Sequence, residues 1–248
     1  MNQSRKRTPK EIRGSILGTL LGDSYITQTN QYGCEQVCKE LIELKRELLL
    51  HYNKDAPNIS TRTRSNVVIE GRKVNSKPTY SIRMRHPRFA RLHKLLYKTG
   101  SKQVYFNLLK FLSLEGLALW VMDDGYMDYK KSNSTRNLRI CTDSFDETSI
   151  NAIIRYFSEI HNIEAKIYYH TNSKGASKKP RISFNAANSQ KLISLIYPYF
   201  IDSMLYKIDM HYLDSTLRSK RCSPEYRIAA NYISQRRALL IKGDEDIV

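Results

Sequence analysis

Ile16-Leu17-Gly18-Thr19-Leu20-Leu21-Gly22-Asp23-Ser24 and Leu117-Ala118-Leu119-Trp120-Val121-Met122-Asp123-Asp124-Gly125 are two apolar runs that each close on an aspartate, Asp23 and Asp124, 101 residues apart. The first reads as a helix with a defined start: Thr8 as N-cap, Pro9 at the first helical position and Glu11 completing a capping box. Gly14, Gly18 and Gly22 recur every four residues, so they line one stripe of that helix. A glycine costs up to ~1 kcal/mol relative to alanine inside a helix, and three in register imply that another helix comes close. The second run, with Ser113 as cap, is apolar almost all round; such a helix belongs in the middle of a protein, against its own counterpart.

A second match supports duplication, because Leu95-Leu96-Tyr97 is echoed by Leu195-Ile196-Tyr197 100 residues later. Between the runs the apolar period switches to two. In Tyr80-Ser81-Ile82-Arg83-Met84-Arg85, Ile82 and Met84 face one side and Arg83 and Arg85 the other. Asn58 to Val68, with Arg62 and Arg64 on one parity, reads as the partner strand across a polar turn around Gly71 to Lys77. Leu138-Arg139-Ile140, Lys166 to His170 and Arg181 to Asn185 alternate in the same way. Leu41, Leu44 and Leu48 predict a helix in the first half; Ser144 with Glu147 caps one carrying Ile150, Ile153, Ile154 and Phe157 in the second. Each half therefore reads as helix, two strands, helix, two strands, helix: a duplicated αββαββα arrangement in the α/β (α+β) class. The expected divisions are 8–110, 111–213 and a basic extension, 214–248, with no assigned role.

The chain has 248 residues and carries 41 Lys and Arg against 24 Asp and Glu, a formal charge of +17 that favours a polyanionic partner. No apolar run approaches the ~18 residues of a membrane span, and Met1 to Arg13 is polar where a secretory signal needs an apolar core, so an intracellular protein with no membrane partner is expected. Cys34, Cys38, Cys141 and Cys222 lack the paired spacing of a zinc site and read as reduced thiols.

The two runs resemble the paired motifs of the single-chain LAGLIDADG homing endonucleases, the second more closely than the first. The resemblance continues through Thr142-Asp143-Ser144-Phe145 and from Tyr197-Pro198-Tyr199-Phe200 to Met204-Leu205-Tyr206-Lys207, covering most of residues 10 to 210. It implies two motif helices packed at a pseudo-twofold axis, with Gly14, Gly18 and Gly22 in the interface and two saddle-shaped antiparallel sheets straddling double-stranded DNA. It also implies a monomer that cuts both strands of a long asymmetric site. By the family pattern the catalytic, metal-holding acids are Asp23 and Asp124. Lys102 and Lys207 correspond to the lysines near each site, with Lys98 as a substitute for Lys102. The sequence departs from the pattern at Ser24, where glycine is usual, and at Asp123, which stands where the first copy has Gly22; Asp123 is read as structural or as a support behind the metal-holding acids. The chemistry is consistent without the name. Carboxylates at the carboxy-terminal ends of two adjoining helices sit at the negative ends of both dipoles, and oxygen-only ligation suits Mg²⁺ or Mn²⁺ in phosphodiester hydrolysis.

For DNA contact, the basic parity of the strands nominates Arg62, Arg64, Arg83 and Arg85 in the first half, and Arg139, Lys166, Tyr168, His170 and Arg181 in the second. Two readings share the same fold and stay open at this point: an RNA maturase that assists intron splicing, with intron RNA as partner, and a DNA-binding regulator without cleavage.

Overall fold

The computed structural model describes residues 6–55, 57–63, 67–69, 72–74, 77–130, 135–171, 178–209 and 222–245. Helix α1 (Pro9–Leu21) begins on the capping box: the Thr8 hydroxyl accepts from the Glu11 backbone N–H at 3.2 Å, and the Glu11 carboxylate accepts from the Thr8 N–H at 2.8 Å. Then come strands β1 (Tyr25–Ile26) and β2 (Gln31–Gln36), helix α2 (Lys39–Leu49), strands β3 (Ser60–Arg62), β4 (Val67–Ile69), β5 (Arg72–Val74) and β6 (Thr79–Arg85), and helix α3 (Phe89–Leu96). After a short helix, α4 (Phe106–Leu109), the order recurs as α5 (Leu114–Asp124), β7 (Gly125–Lys130), β8 (Thr135–Cys141), α6 (Glu147–His161), β9 (Lys166–Thr171), β10 (Lys178–Phe184) and α7 (Ala186–Ile196). Two 3₁₀ turns, Tyr197–Tyr199 and Asp202–Lys207, and a last helix, α8 (Pro224–Glu245), follow.

Both halves build a four-stranded antiparallel sheet of the same topology, β1-β2-β6-β3 in the first and β7-β8-β10-β9 in the second. Register carries the alternation read from sequence into the sheets. Cys34 pairs with Ile82 and Tyr32 with Met84 on the buried face, whereas Arg83 opposite Gly33 and Arg85 opposite Gln31 stand exposed on the other. In the second sheet Leu138, Ile140, Ile182 and Phe184 are fully buried.

The sheets are joined through α1 and α5, the central helix pair of the fold. Leu117 to Met122 are all inaccessible, so α5 is enclosed on every side, and each large side chain buried there contributes ~1.5–3 kcal/mol. The helices touch through backbone. A Cβ on Gly18 would overlap the Gly116 carbonyl, one on Gly116 would overlap that of Gly14, and one on Gly14 would meet Phe111 and Ser113. The glycine stripe therefore does face the second motif helix, and Gly116, which the sequence reading passed over, completes the contact.

Two sequence expectations need correction. The strand expected over Asn58 to Val68 is divided: Ser60–Arg62 pairs with β6, but β6 begins at Thr79, opposite Arg62, and Val67–Ile69 pairs instead with Arg72–Val74 as a separate hairpin. The cap of α6 is Asp146 rather than Ser144, because the helix starts at Glu147 and the Asp146 carboxylate reaches the Ser149 N–H at 2.8 Å.

The chain beyond the second half is not an appendage. Helix α8 buries Tyr226, Ala229, Ala230 and Ile233 against α7 and both 3₁₀ turns, and Arg236 and Arg237 form ion pairs with Asp202 and Asp209. Cys34, Cys38 and Cys141 are free thiols. Among the described residues no helix is long and apolar enough to cross a membrane.

Candidate active site and nucleic-acid interface

Helices α1 and α5 end side by side, and the acids read from sequence lie at those ends. Asp23 is exposed; Asp124 is half-buried, and burial first, then the Asp23 and Asp123 carboxylates, raises its carboxyl to about 7. The helix ends themselves add partial negative charge, so the centre holds more anionic character than its side chains alone supply. Two lysines answer it in parallel fashion. Lys102 Nζ donates to the carbonyls of Gly22 (3.0 Å) and Ser24 (3.3 Å), either side of Asp23; Lys207 Nζ donates to the carbonyl of Asp123 (2.7 Å), just before Asp124. Burial lowers the pKa of both lysines, opposed in each case by Asp23, Asp123 and Asp124. Lys98, weighed as a substitute for Lys102, is exposed.

The centre also contains residues that sequence reasoning missed. The Asp123 side chain is inaccessible and forms an ion pair with Lys45, whose Nζ lies 2.8 and 2.9 Å from its two oxygens; the Lys45 side chain is equally buried. Burial alone would lower the Lys45 pKa, but Asp123, Cys34 and Asp23 together outweigh it and the shift is upward. Gln36 Nε2 donates to Asp23 Oδ2 at 2.8 Å and to Asp123 Oδ1 at 2.6 Å, and the Asp23 backbone N–H donates to Asp123 Oδ2 at 3.2 Å. A signal for both residues existed. Lys45 sits on the apolar stripe of α2 with Leu41, Leu48 and Leu49, and Gln36 follows Tyr32 and Cys34 on the inward parity of β2. A polar group at a core-facing position needs a partner, and here the partner is Asp123.

The predicted DNA-facing residues fall into two groups. In the first half Arg62, Arg83 and Arg85 are exposed on one face of the sheet, since Arg62 pairs with Thr79 on the parity of Arg83 and Arg85. Arg64 lies outside the described residues. In the second half Lys166 is exposed, but Arg139 is buried, ion-paired with Asp128 at 2.7 Å and stacked on the Tyr168 ring at 3.6 Å. Arg181 is held by Asp143 at 3.0 and 3.1 Å and by the Tyr126 hydroxyl at 3.2 Å, and the His170 side chain lies outside the described residues. The first sheet thus presents exposed cations with no acid partner among the described residues, whereas Arg139 and Arg181 in the second are already tied to acids.

A cleft of about 700 Å³ lined by Arg13, Leu17, Arg91, Leu92, Leu95 and Phe111, among others, lies elsewhere. Arg13 is ten residues before Asp23, ~15 Å along α1, so this cleft has no part in the acidic centre.

A duplicated fold with paired acids and lysines at a central helix crossing defines a class of nucleic-acid enzyme, and comparison with known proteins agrees. The LAGLIDADG DNA endonuclease family model matches residues 13–192, and the chain belongs to that family. It is 25% identical over 215 residues to the cytochrome b mRNA maturase bI2 of Debaryomyces hansenii, covering 82% of this chain and 75% of that one. It is 26% identical over 212 residues to protein RecA of Mycolicibacterium flavescens, covering 78% of this chain but only 45% of that protein's length. Among solved structures, the homing endonuclease I-WcaI bound to its DNA recognition sequence has the same fold, with a TM-score of 0.67 and 24% identity over 82% of this chain and 88% of that one.

Proposed function

We propose that this protein is a homing endonuclease that makes a double-strand break in a long, asymmetric DNA site by divalent-metal-dependent hydrolysis. The observation that carries this reading is the doubled set at the helix ends, Asp23 with Lys102 and Asp124 with Lys207, each lysine bonded to the carbonyl that precedes its acid. A duplex has two phosphodiesters to cut, and a duplicated centre supplies one set for each. In this reading residues 8–110 and 111–213 are the two halves that straddle the duplex, and 214–248 is an extension whose helix braces the second.

The donor set fits a hard divalent cation such as Mg²⁺ or Mn²⁺. Burial first, then the charges of Asp23 and Asp123, raise Asp124 to about 7, so a cation held by Asp23 and Asp124 would relieve a repulsion already present. Bound there, the ion would supply Lewis-acid stabilisation of charge on the phosphodiester oxygens. The chain's own part is positional. Lys102 and Lys207, held by main-chain carbonyls, keep ammonium protons in place to neutralise a phosphate oxygen or orient a water. Arg62, Arg83 and Arg85 bring a positive sheet face to the duplex, where phosphate contacts set register and base contacts set sequence.

Likeness to a maturase gives a second reading, an RNA maturase that assists intron splicing on the same fold. Incubating the purified chain with a randomised duplex library and Mg²⁺, then sequencing the ends produced, separates the two. The endonuclease reading expects one recurrent site, cleavage abolished by EDTA and restored by Mg²⁺. Binding of intron RNA with no cut duplex at any site would replace it with the maturase.

A further inference from the structure

The two halves differ where the motif helices end, because Gly22 in the first copy corresponds to Asp123 in the second. Asp123 fits there only because residue 22 has no side chain, as a Cβ on Gly22 would overlap the Asp123 carboxylate. That carboxylate is saturated: Lys45 on both oxygens, Gln36 Nε2 on one and the Asp23 backbone N–H on the other. Through Gln36 the same network also grips the Asp23 carboxylate, at 2.8 Å. Asp23 is therefore held at its main chain and its side chain by groups rooted in a fully buried ion pair. Asp124 has no side-chain hydrogen bond among the described residues, and the second half places Thr142, bonded to the Pro180 carbonyl, where the first has Gln36 at the end of its inner strand.

Burying an ion pair is costly, and an apolar pair of similar volume is often as stable or more so, so stability alone does not account for Lys45 and Asp123. We propose that Lys45 and Asp123 are a positioning pair for Asp23, acting through Gln36 and the Asp23 N–H, and that they make the two scission centres unequal: the Asp23 centre is preorganised by the protein, the Asp124 centre is not. This rests on the endonuclease reading. Loss of the pair then slows the strand served by Asp23 far more than the other.

The test measures nicking of each strand separately on an end-labelled target duplex with Mg²⁺, alongside DNA binding and melting, for the full chain, two variants of the network and Lys102→Met as a strand marker. Lys45→Met/Asp123→Leu removes the pair, and Gln36→Ala leaves the pair but cuts its link to the Asp23 carboxylate. The strand belonging to Asp23 is identified independently as the one that Lys102→Met slows more. The expected result is binding within twofold of wild type in both variants and at least a tenfold change in the ratio of the two nicking rates, against the Asp23 strand. Should the double variant melt far below wild type, Gln36→Ala decides, since an exposed link to Asp23 can be lost without unfolding. Equal slowing of both strands, or an unchanged ratio in Gln36→Ala, overturns the positioning role while leaving the endonuclease reading intact. A wild-type chain that binds duplexes but cuts none overturns both.

Discussion

Asp23 and Asp124 occupy matched places but different surroundings, one exposed and gripped by Gln36, the other half-buried and raised to about 7. Asp23→Asn and Asp124→Asn are each expected to reduce double-strand cleavage by ~10²-fold or more while leaving binding within a few fold, since the proposed phosphate and base contacts are those of the sheets. Cleavage and gel-shift assays on the same preparations check this, and full cutting by Asp124→Asn would remove it from the mechanism. The raised Asp124 pKa also fixes a sign. Its folded value lies above its unfolded value, so the native state binds the extra proton, and the associated stability is present below about pH 4 and lost as pH rises through about 7. In EDTA, the melting temperature of Asp124→Asn should therefore gain on wild type between pH 5 and pH 8. A gap that is constant with pH would mean that Asp124 titrates normally.

Among elements, the α1–α5 crossing and the β6 face carry separable consequences. Gly18→Ala sets a methyl against the Gly116 carbonyl, and backbone cannot move aside as a flexible side chain can, so the helices must separate. A loss of ~1–3 kcal/mol or more is expected from chemical denaturation, with both scission centres impaired together. On β6, Ile82→Ala should cost ~2–5 kcal/mol because that side chain is wholly buried, whereas Arg83→Ala should weaken DNA binding with almost no change in melting. The reverse outcome would assign the faces of the sheet the other way round. In the second sheet the same experiment should read differently. Arg139→Ala strands the Asp128 carboxylate and uncovers Tyr168, so it should lower stability as well as binding, as Arg83→Ala does not.

At the scale of the whole molecule, both motif helices lie in one chain, so one chain should suffice for one duplex. Two halves that each cover about one turn of ~10 bp imply a site on the order of 20 bp that is not a true palindrome. Sedimentation of the complex should give one protein per duplex, and two would refute a single-chain enzyme. The net charge of +17 predicts steep salt dependence, with affinity falling by ~10³-fold or more between 50 and 200 mM salt when six or more phosphates are neutralised.

What the amino-acid sequence determined by itself is what short-range physics governs. The capping box at Thr8, the glycine stripe of α1, the inward Ile82 and Met84 beside the outward Arg83 and Arg85, and an acid at the end of each motif helix follow from periods of 3.6 and 2 and from local hydrogen bonding. Duplication then tied the two halves into one fold without any knowledge of contacts. Tertiary structure decided what depends on partners far apart in the chain. Lys45 meets Asp123 across 78 residues, Gln36 bridges two acids at the ends of different helices, Gly116 answers Gly18, and Arg139 and Arg181 are engaged by Asp128 and Asp143 where the pattern showed only basic positions on a polar face. Alternation specifies which way a side chain points, but only packing brings a buried charge to the group that neutralises it, and that pairing is what sets Asp23 and Asp124 in different surroundings.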